Sequence, residues 1–165
     1  MRPEGEAGRK PSNRKHKPSH ELQKPTDWSP DGQFLLFGVG DFASSGQIWI
    51  LRLGGDHKAQ GDFVAANGRF SRDGRWIAYN SNESGRPEVY VVPFGIGTGK
   101  WQVSNTGGVL PIWRHDGKEL FYWSSDNTLS SVSIDSKSQA IEVSAPRPVF
   151  RLRNPMGKRW THKRS

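Results

Sequence analysis

The sequence predicts an all-β fold made of three copies of a four-stranded antiparallel unit, and three observations carry that prediction. Asp-Gly recurs at Asp31-Gly32, Asp73-Gly74 and Asp116-Gly117, 42 and 43 residues apart, which is the regularity of an internal repeat. Each pair is preceded at a fixed offset by an aromatic residue, Trp28, Phe70 or Trp113, and followed by a polar residue and a run of strand formers. Of the 18 aromatic residues, 17 lie between residues 25 and 150, so the apolar material is concentrated in the repeated part.

Residues 1 to 24 carry seven basic and three acidic residues and no aromatic, while residues 147 to 165 carry seven basic and no acidic ones. The intervening chain is net acidic, so the formal charge of +8 belongs to the ends. Such ends bury too little surface to offset ordering costs of about 1 to 2 kcal/mol per residue, and residues 1–24 and 152–165 are expected to be disordered basic tails around a folded 25–151.

Within the folded part the repeats start near residues 26, 68 and 111. Asp-Gly supplies the positive φ that a tight hairpin needs, so each unit opens with two antiparallel strands joined there. The second strands are Phe34-Leu35-Leu36-Phe37, Trp76-Ile77-Ala78-Tyr79 and Glu119-Leu120-Phe121-Tyr122. The third strands read Ile48 to Leu53, Val89 to Phe94 and Leu129 to Ile134, with turn residues just ahead of them at Gly46, Gly85 and Asp126-Asn127. Pro93 suits the end of a strand and not its middle. Short outer strands around Trp101 to Ser104 and Ile141 to Val143 complete the count. Both faces of each sheet carry apolar residues, which requires a second sheet on either side. Radial stacking of four-stranded units provides one, and its period of about 40 to 45 residues matches. A β-sandwich needs no such period, so the β-propeller is preferred.

The segments Trp28-Ser29-Pro30-Asp31-Gly32, Phe70-Ser71-Arg72-Asp73-Gly74-Arg75-Trp76-Ile77-Ala78-Tyr79 and Trp113-Arg114-His115-Asp116-Gly117 resemble the WD-repeat-like β-propeller motif of TolB-type proteins. The stretch from Asn82 to Phe94, with Val103-Ser104, is similar to the propeller attached to some bacterial serine/threonine protein kinases. The resemblance covers about residues 26 to 151. It implies a partial propeller, possession of a bacterial sensor or interaction role, and a periplasmic or extracytoplasmic location. The first 24 residues contain no apolar signal-peptide core, so the location stays unassigned. Arg114-His115 departs from the motif's usual Ser-Pro. Three blades fall short of the ~4 to 8 that close a ring, so an apolar face is expected at each end of the stack, to be covered by further blades or by self-association.

The same sequence argues against catalysis. It has no cysteine, which removes thiol nucleophiles and Cys-based zinc sites. Ser44-Ser45-Gly46 reads as a turn and not as a nucleophile elbow. Gly95 to Lys100 lacks both the first glycine and the Ser/Thr of a phosphate-binding loop, and reads as a connector. His16 and His20 lie in a proline-broken segment with no third metal ligand. His115 occupies a turn position, Asp31, Asp73 and Asp116 are used in turns, and Asn82-Glu83-Ser84 is a short glycosylation-type pattern given no role. No catalytic residue, metal ligand or cofactor is therefore assigned, and no run is long and apolar enough for a membrane span.

The function this predicts is a non-catalytic module that displays loops on a rigid scaffold to a protein or peptide partner. The binding candidates are Asp41, Phe42 and Ser44 in the first unit, Asn82, Glu83 and Arg86 in the second, and Asp126 and Asn127 in the third. Two alternatives remain. One is the substrate-gating propeller of a dipeptidyl-peptidase-like or prolyl-oligopeptidase-like hydrolase that lacks its catalytic domain. The other, disfavoured because the core is acidic, is nucleic-acid binding through the basic tails.

Overall fold

The computed structural model describes residues 23–40, 46–95, 97–137 and 140–152. Thirteen strands are present among them: β1 (Gln23–Trp28), β2 (Phe34–Val39), β3 (Gln47–Arg52), β4 (Ala59–Val64), β5 (Ala66–Phe70), β6 (Trp76–Ser81), β7 (Glu88–Pro93), β8 (Trp101–Gln102), β9 (Val109–Trp113), β10 (Glu119–Trp123), β11 (Thr128–Lys137), β12 (Ala140–Val143) and β13 (Arg147–Arg151). They form three antiparallel sheets in simple meander order, β1-β2-β3-β4, β5-β6-β7-β8 and β9-β10-β11-β12, with β13 also on β11. The all-β partial propeller read from the repeat is the observed architecture. β1 takes in Gln23 and Lys24, two residues ahead of the boundary drawn from composition.

The Asp-Gly turns are built alike. Gly32 N donates to Ser29 O at 2.8 Å, Gly74 N to Ser71 O at 2.9 Å and Gly117 N to Arg114 O at 2.9 Å, and the three glycines have φ of 70°, 70° and 71°. The positive φ falls on glycine alone. Asp and Gly are thus the third and fourth residues of a type I turn, rather than the two central residues of the tightest hairpin loop. The aspartate fixes the turn by accepting from the backbone two residues on: Gln33 N at 3.0 Å, Arg75 N at 3.1 Å and Lys118 N at 3.0 Å. Ser29 and Ser71 also donate their hydroxyls to Asp31 and Asp73, whereas Arg114 replaces that bond by an ion pair to Asp116 at 3.4 Å.

Period-two alternation sends successive side chains of each sheet to opposite faces. On blade 2, Phe70, Ile77, Tyr79 and Tyr90 pack against blade 1, where they meet Leu36 and Ile48. Its other face, Trp76, Ala78, Val89 and Val91, packs against Leu120, Tyr122, Val132 and Ile134 of blade 3. The core therefore lies between sheets, in two layers. The inner strands are tied across blades as well: Asp27 Oδ2 accepts from Phe70 N at 2.9 Å, Arg69 donates to Thr26 O, and Trp113 Nε1 donates to Arg69 O at 3.2 Å.

Two features depart from the expected plan. The fourth position of blade 3 is shared by β12 and β13, which run end to end along one edge of β11, with a register shift in the β13 pairing at Leu129/Ser130. The two outward faces also differ. Blade 1 presents Trp28, Leu35, Phe37, Trp49 and Leu51, an apolar set as expected. Blade 3 presents Ile112, Phe121, Trp123, Leu129 and Phe150 in one half, whereas in the other Ser133 and Arg147 stand exposed beside the buried Glu119 and Ser131, to both of which Arg147 donates.

Candidate functional site at the loop end

The connections between second and third strands all leave the sheets at the end opposite the Asp-Gly turns, because every blade is an antiparallel meander with its first four strands in the same order. The segments 82–87 and 124–127 therefore share one rim, joined by the linker 103–108 that carries the chain from blade 2 to blade 3. Asp41, Phe42 and Ser44 lie outside the described residues.

In blade 2, Asn82 begins a turn closed by Gly85 N to Asn82 O at 2.9 Å. Glu83 pairs with Lys100 at 2.6 Å, and the Lys100 ammonium lies 5.5 Å from the centre of the Tyr90 ring. Arg86 is more deeply committed. Its Nε donates at 2.7 Å to Glu88, whose carboxylate is 1% exposed, and its Nη2 donates to Asn105 O. Glu88 also accepts from Gly107 N at 3.0 Å and from the Ser104 hydroxyl, which itself accepts from Val89 N at 2.8 Å. A buried carboxylate needs donors of this kind, and here they come from the linker, which is thereby pinned to its blade.

In blade 3 the turn is closed by Asn127 N to Ser124 O at 3.1 Å, with Asn127 at φ 61°. Asp126 Oδ1 accepts from Thr128 N at 3.2 Å, and its other oxygen faces Arg151 at 3.8 Å. Ser125 Oγ donates to Thr106 O at 2.7 Å, binding this turn to the linker, and the Ser124 and Ser130 hydroxyls are 3.0 Å apart. These groups surround a shallow recess of about 580 Å³ lined by Thr106, Ser124, Ser125, Asp126, Thr128 and Ser130, with the exposed side chains of Val149 and Phe150 on its flank. Hydroxyls beside an apolar lip offer hydrogen bonds and contact area together.

Asn82, Glu83, Arg86, Asp126 and Asn127 are thus at one end of the molecule, and only Asp126 lines the recess. Sequence reasoning missed Ser124, Ser125, Thr128 and Ser130. Their signal is the polar alternation through the third hairpin, which composition alone treats as ordinary loop. It also missed Arg151 and Phe150, because no fifth strand was expected in blade 3.

A larger recess of about 860 Å³ lies at the Asp-Gly end between blades 2 and 3, with Arg72, Arg114, Lys118 and Arg147 among its walls. Glu119 lies in it, bonded to Arg147 and, at 3.2 Å, to Arg114. The Arg147 bond, then the Ser131 hydroxyl, hold its carboxyl below the ordinary glutamate range. Burial pushes the Tyr122 phenol up to about 12, with Glu88 adding to it. Among the described residues no three His, Asp or Glu side chains converge as a metal-ligand set, and no helix is long and apolar enough to cross a membrane.

Comparison with known proteins gives a fold likeness. No protein-family model matches the chain. An uncharacterized protein of Agrobacterium fabrum is 30% identical over 109 residues, which are 62% of this chain and 36% of that protein, so the chain spans about a third of its relative's length. Among solved structures it is similar to a protein of Agrobacterium tumefaciens described as TolB, with a TM-score of 0.57, 18% identity and coverage of 76% of this chain and 50% of that one. TolB of Acinetobacter baumannii follows with a TM-score of 0.54, 18% identity and coverage of 76% and 33%. The tricorn protease aligns at a TM-score of 0.50, 15% identity and coverage of 81% and 14%. The chain is a TolB-like β-propeller module in fold.

Proposed function

We propose that the chain is a non-catalytic interaction module whose loop end, formed jointly by blades 2 and 3, receives a protein or peptide partner. The observation that carries this reading is the bond from Ser125 Oγ to Thr106 O, 2.7 Å long, which welds the two blades' exits into one rim around the hydroxyl-lined recess. A rim fixed before binding loses little entropy on binding. The fold alone does not choose between display and catalysis, since it serves TolB and a protease alike. What favours display is the commitment of the charged groups: Glu83 to Lys100, Arg86 to Glu88, and Asp126 to the Thr128 amide and Arg151. These side chains shape a surface and do not stand poised over a reacting atom. No observation favours the hydrolase-gating or nucleic-acid readings.

The test is selection of peptides from a displayed random library against the full chain. Affinities are then measured for wild type, Asp126→Lys and, at the opposite end, Lys118→Glu. Asp126→Lys is expected to weaken the selected peptides at least about tenfold, the equivalent of one interface contact. Loss confined to Lys118→Glu would move the site to the other end and refute the proposal.

A further inference from the structure

We infer that two copies of this chain close head to tail into a six-bladed ring, with the outward face of blade 1 seated on the outward face of blade 3 of the other copy. The inference rests on the blade repeat and not on the loop-end reading; the two share Phe150 at their border, but Trp28 and Ile112 lie outside the recess, so either can fail without the other.

The two internal interfaces obey one rule. Each later blade sends the aromatic of its aromatic-x-x-Asp-Gly turn, together with one row from its second and third strands, into the blade before it. Phe70 pairs in register with Ile77 and is 6% exposed, its ring 5.0 Å from Phe94, which lies 5.0 Å from Phe34 of blade 1. Trp113 pairs with Leu120 and donates its indole N–H to the carbonyl of Arg69 in blade 2. Trp28 pairs with Leu35, which pairs with Leu51, and the next row is Pro25, Phe37 and Trp49. These are the repeat equivalents of the inserted groups, yet among the described residues no blade lies before blade 1, and Trp28 is 57% exposed.

The receiving surface is equally defined. In blades 1 and 2 it is the row through Leu36 and Ile50, or through Ala78 and Val91, on the face toward the following blade. In blade 3 the equivalent rows are Ile112, Phe121 and Ser131, then Trp123, Leu129 and Phe150, of which Ile112 and Phe150 are each 56% exposed. One chain thus carries both mates of an interface that it already makes twice, and applying the same step once more continues the established interface into a second copy. Two copies supply six blades, within the ~4 to 8 that close a ring, and a closed pair leaves neither face in water.

The repeat step also assigns contacts. Trp28 Nε1 meets the carbonyl of Ile112, which stands where Arg69 stands in blade 2. Glu119 occupies the position of Phe34 and Trp76. Its partners Arg114 and Arg147 then come against the Trp28 indole, so the polar half of the blade 3 face offers guanidinium groups to an aromatic ring instead of an aliphatic floor. That arrangement accounts for why an otherwise apolar position holds a carboxylate clamped by two arginines.

The experiment is sedimentation velocity of the full chain over a concentration series, with Trp28→Glu and Ile112→Glu as variants. Both positions are exposed in the single chain, so both variants fold, which circular dichroism checks. The wild type is expected to sediment at twice the chain mass, and each variant to weaken dimerisation at least about 30-fold, a hot-spot loss. In an equal mixture of the two variants, one of the two interfaces is restored to wild-type residues, so the mixture is expected to associate more strongly than either variant alone. A monomer at all concentrations overturns the inference. So does a series of species growing beyond the dimer, which would mean an open chain. Retention of the dimer by Ile112→Glu while Trp28→Glu loses it would mean that blade 1 pairs with its own kind, and overturns it as well.

Discussion

Replacing Glu88 by alanine removes the acceptor around which the loop end is assembled, and the consequences can be worked group by group. The Gly107 amide, 3.0 Å from the carboxylate, becomes a buried donor without an acceptor. That costs about 1 to 3 kcal/mol. The Ser104 hydroxyl loses a bond to a charged partner, worth about 1.5 to 3 kcal/mol, and keeps only its role as acceptor from Val89 N. The vacated methylenes add a cavity term, partly offset because the ion pair no longer has to be desolvated. The net is about 3 to 5 kcal/mol, in the range for breaking a buried pair by removing one partner. Arg86→Ala should cost less, about 1 to 2 kcal/mol, because the arginine side chain is 60% exposed and Glu88 keeps two other donors. The assay is urea unfolding followed by tryptophan fluorescence, in dilute protein. With a slope of about 2 kcal/mol per molar, Glu88→Ala should move the midpoint down by roughly 2 M. A shift under about 0.5 M, or an Arg86→Ala loss equal to that of Glu88→Ala, would refute the view that this carboxylate organises the linker.

Other expectations follow from single contacts. Gly117→Ala places a side chain at φ 71° and should destabilise by about 1 to 2 kcal/mol in the same urea assay, although space is available there. Gly61→Ala should disturb blade 1 more, since its Cβ would lie 2.5 Å from the Trp49 ring, and the change should be visible as a shift in tryptophan emission. The depressed carboxyl of Glu119 contributes stability that is complete above the ordinary glutamate value of 4.5 and is lost as pH falls through its lower folded value. Thermal unfolding midpoints should therefore fall less steeply with acidification in Glu119→Gln than in wild type. Leu36→Ala, at a site with no exposure, should cost about 2 to 5 kcal/mol by calorimetry.

The parts of this fold that the sequence made readable are those fixed by local chemistry repeated three times. Asp31, Asp73 and Asp116 each hold a turn through their own side chain, so their spacing reports blade number directly. The strands after them are β-forming runs of five or six residues, and in β6 every position is buried because both faces are covered. What stayed hidden depends on pairing between distant segments. Residues 147–151 are basic, proline-containing and exposed, and only their ladder with Thr128 to Ser131 makes them a strand. The polar half of the blade 3 face was hidden for a related reason, since Glu119 sits in a strand position that elsewhere is aromatic, and its neutralisation by Arg147 comes from 28 residues away. At the candidate site, loop membership was legible for Asn82, Glu83, Arg86, Asp126 and Asn127. That Arg86 serves a buried partner, and that Asp126 borders a recess, required tertiary geometry.

The central sheet is the only one of the three that touches both others, because the ties from Asp27, Arg69 and Trp113 all end on β5 or start from it. Within one chain its neighbours have no further described sheet on their far sides. Loss of the middle sheet would therefore release two separate hairpin layers at once, whereas fraying of either flank would leave the remainder standing. In protein diluted until it is a single chain, amide protons of Trp76 to Ser81 should accordingly be the last to exchange with deuterium, and those of the flanks should exchange in two independent groups.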